Sequence, residues 1–230
     1  VSATGALPPA AEPTAPTTVL VVDDHALFRD GLIALISRWA DFEVIGTAAD
    51  GAEAVRLAAA LHPGLVLMDV RMDGMGGVEA TRLITEADPA ITVAMLTMSN
   101  LGEDVYQALR NGAHGYLSKD EPADRLHDYL AGLMRGEAAM SSAIAARVLA
   151  EFGAQGGSAR PVPPAHERLT HRERDVLRLL VEGMSNEEIA RDLFLSEATV
   201  KKHLGSIMTK LHVRNRVQAA VLGLRQGIVG

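Results

Sequence analysis

Five polar residues stand where apolar runs stop. Asp23 and Asp24 follow "TVLVV" (18–22), Asp69 follows "LVLM" (65–68), Thr97 ends "ITVAML" (91–96), and Lys119 comes just after "HGYL" (114–117). Three carboxylates on one edge would repel strongly unless a cation shared the site. Hard oxygen ligands with open positions suit Mg2+, or a similar divalent ion such as Mn2+, which keeps waters and bridges to phosphate. One carboxylate could then attack a phosphoryl donor in line, with the ion and the Lys119 ammonium neutralising the developing charge and Thr97 bonding a transferred oxygen. A second acid, Asp73, lies four residues past Asp69 in the glycine-rich "RMDGMGG" (71–77). It reads as a solvated Asp-Gly turn residue, so Asp69 is the acceptor to expect.

Those positions matter only if the runs are strands of one sheet. "TVLVV" and "LVLM" are apolar without alternation, the pattern of strands covered on both faces. Between the runs, Phe28, Leu32, Leu35, Ile36 and Trp39 recur at helical spacing. Strand and helix then alternate through "FEVIGTAA", "GAEAVRLAAAL", "GVEATRLITEA", "EDVYQALRN" and "PADRLHDYLAGLMRG". Five such pairs predict a parallel sheet with helices on both faces, and such sheets bind ligands at the carboxyl ends of their strands.

The organisation has four parts. Residues 1–17, rich in Ala, Pro and Thr, are expected to be a disordered tail. An α/β domain follows over 18–136, then a linker helix and a flexible Gly/Pro linker over 137–168. Helices fill 169–230. Thr170 with Glu173, and Ser185 with Glu188, have capping-box spacing, and Ser196 can cap a third helix. Four helices with a short turn between the middle pair describe a helix-turn-helix.

Charge divides along the same line. From Ala165 onward there are 11 Lys+Arg against 8 Asp+Glu, a balance of +3; the whole chain carries −7, which leaves −10 before that point. The mildly basic part is the candidate for a polyanion. Val200, Leu204, Ile207 and Leu211 make one apolar stripe for packing, which turns Ala198, Lys201, Lys202, Gly205 and Thr209 outward toward a major groove. The chain has no cysteine, so disulfides and thiolate chemistry are excluded. With neither a signal-peptide pattern nor a membrane-spanning run, it is expected in the cytoplasm with no membrane partner.

The stretches "VLVVDDHALFRDGL", "LVLMDVRM", "MLTM" and "GAHGYLSKD" resemble a bacterial response-regulator receiver domain. The stretch "LTHRERDVLRLLVEGMSNEEIARDLFLSEATVKKHLGSIMTKLHVRNRVQAA" resembles the LuxR-type helix-turn-helix of the NarL/FixJ class. The resemblance implies a five-stranded parallel sheet of order 2-1-3-4-5, flavodoxin-like, followed by an all-α four-helix DNA-binding domain. It implies that Asp69 accepts phosphate from a sensor histidine kinase, and that the chain is a transcription factor rather than an enzyme. Asp24 and Asp69 would ligate Mg2+ with the backbone carbonyl of Arg71, and Asp23 would assist through water. Lys119 would pair with the phosphoryl group, with Thr97 and Tyr116 as switch residues; Tyr116 on a short strand could equally be core packing. Thr199, Lys210 and His203 would join Lys201 and Lys202 at double-stranded promoter DNA, bound by a homodimer when active. Val217, Ala220, Val221 and Leu224 share a face of the last helix that is either core or dimer contact.

Departures from the family pattern add expectations of their own. Asp73 stands where Pro is usual, Gly76 where Asp is frequent, and Gly64 where Asp is favoured; with Gly74 and Gly77 retained, the loop after the third strand is expected to be loose. Gly205 replaces a longer side chain on the outward stripe. Two other readings stay open at this stage: a transcription factor whose receiver is an unphosphorylated scaffold, and an aspartyl phosphatase. The latter is disfavoured because Arg71 occupies the place of its second acid.

Overall fold

The computed structural model describes residues 15–98, 107–108, 111–137, 139–140, 169–213 and 215–225. The expected tail over 1–14, most of the "EDVYQALRN" helix, the helix at 141–152 and the Gly/Pro linker lie outside the described residues.

The first domain alternates β1 (Thr17–Val22), α1 (Ala26–Ile36), β2 (Phe42–Ala48), α2 (Gly51–Leu61), β3 (Leu65–Asp69), α3 (Gly77–Ala87), β4 (Thr92–Thr97), β5 (Gly115–Ser118) and α4 (Ala123–Met134). All neighbouring strands pair in parallel, in the order β2-β1-β3-β4-β5. Thr17, placed in the tail from sequence, instead opens β1 and donates its N–H to the Asp41 carbonyl. A two-residue strand, β6 (Ala139–Met140), adds to the far edge beside β5, in a segment expected to be linker. Residues this short carry no strand period, so only the neighbouring β5 edge reveals them.

Successive strand residues feed opposite cores. Val19, Val21, Leu65, Leu67, Ala94, Leu96 and Leu117 join α1 and α4 through Leu32, Ile36, Leu126 and Leu130. Leu20, Val22, Val66, Met68, Val93, Met95 and Tyr116 join α2 and α3 through Ala54, Ala58, Ala80 and Ile84. Every residue of β3 is buried, which is why its apolar run shows no alternation. Each Leu, Ile or Val side chain so buried contributes about 1.5–3 kcal/mol.

The second domain comprises α5 (His171–Val181), α6 (Asn186–Asp192), α7 (Glu197–Leu211) and α8 (Arg216–Arg225). Thr170–Glu173 and Ser185–Glu188 both form reciprocal capping boxes, and Ser196 accepts from the Thr199 N–H. The stripe Val200, Leu204, Ile207 and Leu211 is buried against α5 and α6. The face assigned to α8 proves to be divided: Ala220 packs in the helical core, which also holds Ala219, whereas Val217 and Val221 pack on the first domain's core.

Candidate functional site

Parallel pairing in register brings the ends of β1, β3, β4 and β5 to one edge. Lys119 Nζ lies 2.6 Å from Asp23 Oδ2 and 2.9 Å from Asp69 Oδ2, with its side chain only 3% exposed. The same ammonium stands 4.6 Å above the Phe28 ring, whose face adds a cation–π attraction. The Lys119 N–H donates to the Thr97 carbonyl, tying β5 to the end of β4. Asp23 is fixed from behind: its Oδ1 accepts the His25 N–H and its carbonyl accepts from Arg29 Nη1. Burial pushes the Asp69 carboxyl upward; the Lys119 hydrogen bond and charge, and the Arg71 backbone N–H, offset part of this, and the Asp23 charge adds to it. A carboxylate so raised is a more basic nucleophile than a solvated one.

Carboxylate oxygens of Asp23, Asp24 and Asp69 and a ring nitrogen of His25 all lie within 4.8 Å of one another. Asp23 Oδ2 is buried and, although it has an ionic neighbour in Lys119, it accepts no hydrogen bond of good geometry. A hard divalent cation fits this donor set. Asp24 is more open and is bonded at 2.7 Å by His25 Nδ1. Tyr116 lies wholly inside the core, and Thr97 is buried at the strand end.

Backbone contacts close in behind the acceptor. The Gly77 N–H donates to the Val70 carbonyl, and the Gly51 N–H donates to the Met75 carbonyl across to α2. The β3–α3 loop is therefore anchored at two points despite lacking Pro. Asp73 sits exposed on it, next to Gly74 at φ 73°. A Cβ on Gly77 would lie 1.8 Å from the Asp69 carbonyl oxygen, so this position admits glycine alone.

Lys201 and Lys202 are exposed, His203 is half-buried, and the Thr199 hydroxyl is 2.8 Å from that of Ser196. Lys201, with Leu204 and Met208, borders a cleft of about 390 Å3 whose opposite wall is the first domain, through His114, Arg135 and Glu137. Lys210, also expected at DNA, has its ammonium bonded to both carboxylate oxygens of buried Glu173, at 2.7 and 2.6 Å. Gly205 has nothing within 4 Å of a would-be Cβ.

A family model described as response regulator receiver domain matches residues 19–131, and one described as bacterial regulatory proteins, luxR family, matches 167–222. The transcriptional regulatory protein LiaR of Bacillus subtilis is 42% identical over 213 residues, covering 92% of this chain and 98% of LiaR. The chain is a response regulator of the NarL/LuxR family. The nitrate/nitrite response regulator protein NarL of Escherichia coli K12 is 39% identical over 210 residues, 90% of this chain and 94% of its own. Among solved structures, the response regulator ChrA of a heme-sensing two-component system aligns with a TM-score of 0.52 at 30% identity, covering 94% of this chain and all of that one. As a member of this family, the response regulator is a DNA-binding two-component transcription factor and not an enzyme. Among its described residues no helix is long and apolar enough to cross a membrane.

Sequence reasoning gave Glu173 only a capping role; in the response regulator it also joins α5 to α7. Burial alone would raise its carboxyl, but hydrogen bonds from Lys210, Ser206 and Thr170 outweigh this and hold it down, from the ordinary 4.5 to about 2. The depressed value means stability fully present above 4.5 and lost as pH falls from there through about 2. By linkage the contribution at neutral pH is on the order of 3 kcal/mol. Glu173→Gln should lower the unfolding free energy of the helical domain by about 2–3 kcal/mol at pH 7 and flatten its acid dependence in that window. Urea titrations across pH check this, and an unchanged midpoint would show the ion pair to be idle.

Proposed function

We propose that Asp69 takes a phosphoryl group from a phosphohistidine of a sensor histidine kinase, and that this transfer frees the recognition helix α7 for promoter DNA. The observation that carries the reading is the buried Asp69 carboxylate held with Asp23 against a buried Lys119 at a common sheet edge. In the transfer an Asp69 oxygen bonds to phosphorus as the bond to the histidine nitrogen breaks. Lys119 neutralises charge on the transferred group, and Thr97 donates its hydroxyl to a phosphoryl oxygen. Mg2+, or Mn2+, held by Asp23, Asp24, Asp69 and the Arg71 carbonyl, would supply the remaining charge neutralisation. Asp73 stays outside the chemistry.

Lys201 at the interdomain cleft supports a resting state in which the receiver covers part of the DNA-binding face. Thr199, Lys201, Lys202 and His203 serve DNA once that cover moves, and two copies bind together, in the cytoplasm where the phosphodonor acts. Beryllofluoride with Mg2+ should tighten binding of the full chain to a DNA duplex by about tenfold, within the usual range of allosteric couplings. Titration by fluorescence anisotropy measures it. Equal affinity with and without the mimic, and again with Asp69→Asn, would leave the receiver as a scaffold.

A further inference from the structure

The acceptor pocket holds a ring that its carboxylates do not explain. His25 stands at the N-cap of α1, a position that favours Ser, Thr, Asp or Asn because a short side chain bonds the first free N–H groups of the helix. The His25 side chain makes no such bond. Its backbone alone ties it to the turn: the N–H donates to Asp23 Oδ1 at 2.9 Å, and the carbonyl accepts the Arg29 N–H at 3.0 Å. The imidazole turns toward the pocket, with Nδ1 2.7 Å from Asp24 Oδ1 and 3.7 Å from Asp23 Oδ1. The side chain is 76% exposed, so little packing holds it there.

We infer that His25 is a further ligand of the divalent ion, and that its ring nitrogen tilts the preference of the site toward first-row transition ions over Mg2+. The inference rests on the divalent-ion part of the proposed function and adds to it a ligand and a selectivity. Donors bound to one ion at about 2.0–2.2 Å stand at most about 4.4 Å apart. Both His25 distances fall inside that span, and the nitrogen and the oxygens of Asp23, Asp24 and Asp69 all lie within 4.8 Å of one another, so small side-chain rotations gather the set. Asp23 Oδ2 points to a cation independently: it is buried, and beyond its ion pair with Lys119 it accepts no hydrogen bond of good geometry. Donor chemistry then separates the ions. An all-oxygen set suits Mg2+, which is hard and holds its waters, whereas imidazole nitrogen suits Co2+, Ni2+ and Zn2+. Mg2+ gains little from a nitrogen donor, so loss of the ring weakens the transition ions selectively. An exposed ring is also free to yield its place to a phosphoryl oxygen, which leaves phosphoryl transfer open.

His25→Ser removes the imidazole and keeps a favoured N-cap, so the start of α1 should stay folded. Wild type and variant, both as the full chain, are loaded with Mn2+ and read by electron spin-echo modulation, which detects a nitrogen bound to the ion. Displacement of the Mn2+ signal by Co2+ and by Mg2+ then gives the affinities. The expected result is nitrogen modulation in the wild type and none in His25→Ser. Affinity for Co2+ should fall by about tenfold or more, the range in which even outer-shell partners act, with Mg2+ unchanged to within about twofold. Asp24→Asn should weaken every one of these ions, which places them in this pocket. If Mn2+ binds without nitrogen modulation, or if His25→Ser leaves the preference for Co2+ over Mg2+ as it was, His25 is no ligand and the carboxylate site stands without it. If Asp24→Asn leaves uptake unchanged, the ion sits elsewhere, and the carboxylate site falls together with the role of His25.

Discussion

Asp69→Asn should abolish incorporation of phosphate from acetyl phosphate and Mg2+, while Asp73→Asn should leave it at the wild-type level. The difference follows from placement. Asp69 ends a fully buried strand, 2.9 Å from the Lys119 ammonium and beside Asp23, whereas Asp73 is exposed on the following loop. Asparagine preserves the shape of the site but offers phosphorus a neutral amide, which is not a nucleophile at neutral pH. The substitution also removes a buried charge whose partner, Lys119, keeps Asp23 at 2.6 Å, so the fold should survive it. Intact-mass spectrometry reads both variants directly. Retained incorporation in Asp69→Asn, or its loss in Asp73→Asn, would reverse the assignment.

Gly77→Ala should cost the receiver about 3 kcal/mol or more, at the upper end of overpacking penalties. The added methyl would meet the Asp69 carbonyl oxygen at 1.8 Å, and the Asp69 carbonyl carbon and Met68 Cγ at 2.9 Å. Backbone cannot rotate away as a flexible side chain does, so the start of α3 must lift from β3 and drag the acceptor with it. Phosphate incorporation should slow as stability falls, a coupling that an ordinary core substitution would not produce. Gly205→Ala is the matching control: with nothing within 4 Å, the new methyl should stabilise α7 by up to about 1 kcal/mol through helix propensity. Chemical denaturation of the two variants gives the comparison. A loss below about 1 kcal/mol at Gly77, smaller than typical overpacking, would mean that the loop is looser than its two anchors imply.

Much of this was legible in the chain. Unbroken apolar runs announced strands buried on both faces, and their terminal polar residues announced the site, because parallel order brings strand ends to a common edge. Capping signals were equally reliable: Thr170, Ser185 and Ser196 each bond the backbone N–H expected of them. Their partners lie three residues away, so local geometry alone decides the contact. Asp73 in place of the usual Pro suggested a loose loop, but the bonds of Gly51 to Met75 and of Gly77 to Val70 depend on how α2 and β3 approach each other. The signal that could have found Gly77 was its place at the first turn of a helix following a buried strand, where close approach leaves no room for a side chain.

Other assignments changed because a residue's partner was distant in sequence. Lys210 on the recognition helix reads as a phosphate contact, and the fold adds a partner that sequence did not show: α5 presents Glu173, 37 residues away, to its ammonium. Val217, Ala220 and Val221 read as part of one amphipathic face until the receiver core takes the two valines and leaves Ala220 to the helical core. The sequence by itself determined the element types apart from β6, the two faces of the sheet and the acidic constellation, since these follow from periodicity, caps and strand ends, all properties of short range. Only the tertiary structure decided which charges are already neutralised, which glycines must stay bare, and how α8 divides between the two domains. Those depend on surfaces meeting across tens of residues, where an ammonium, an amide or a methyl is committed to whichever partner the packing brings within about 3 Å.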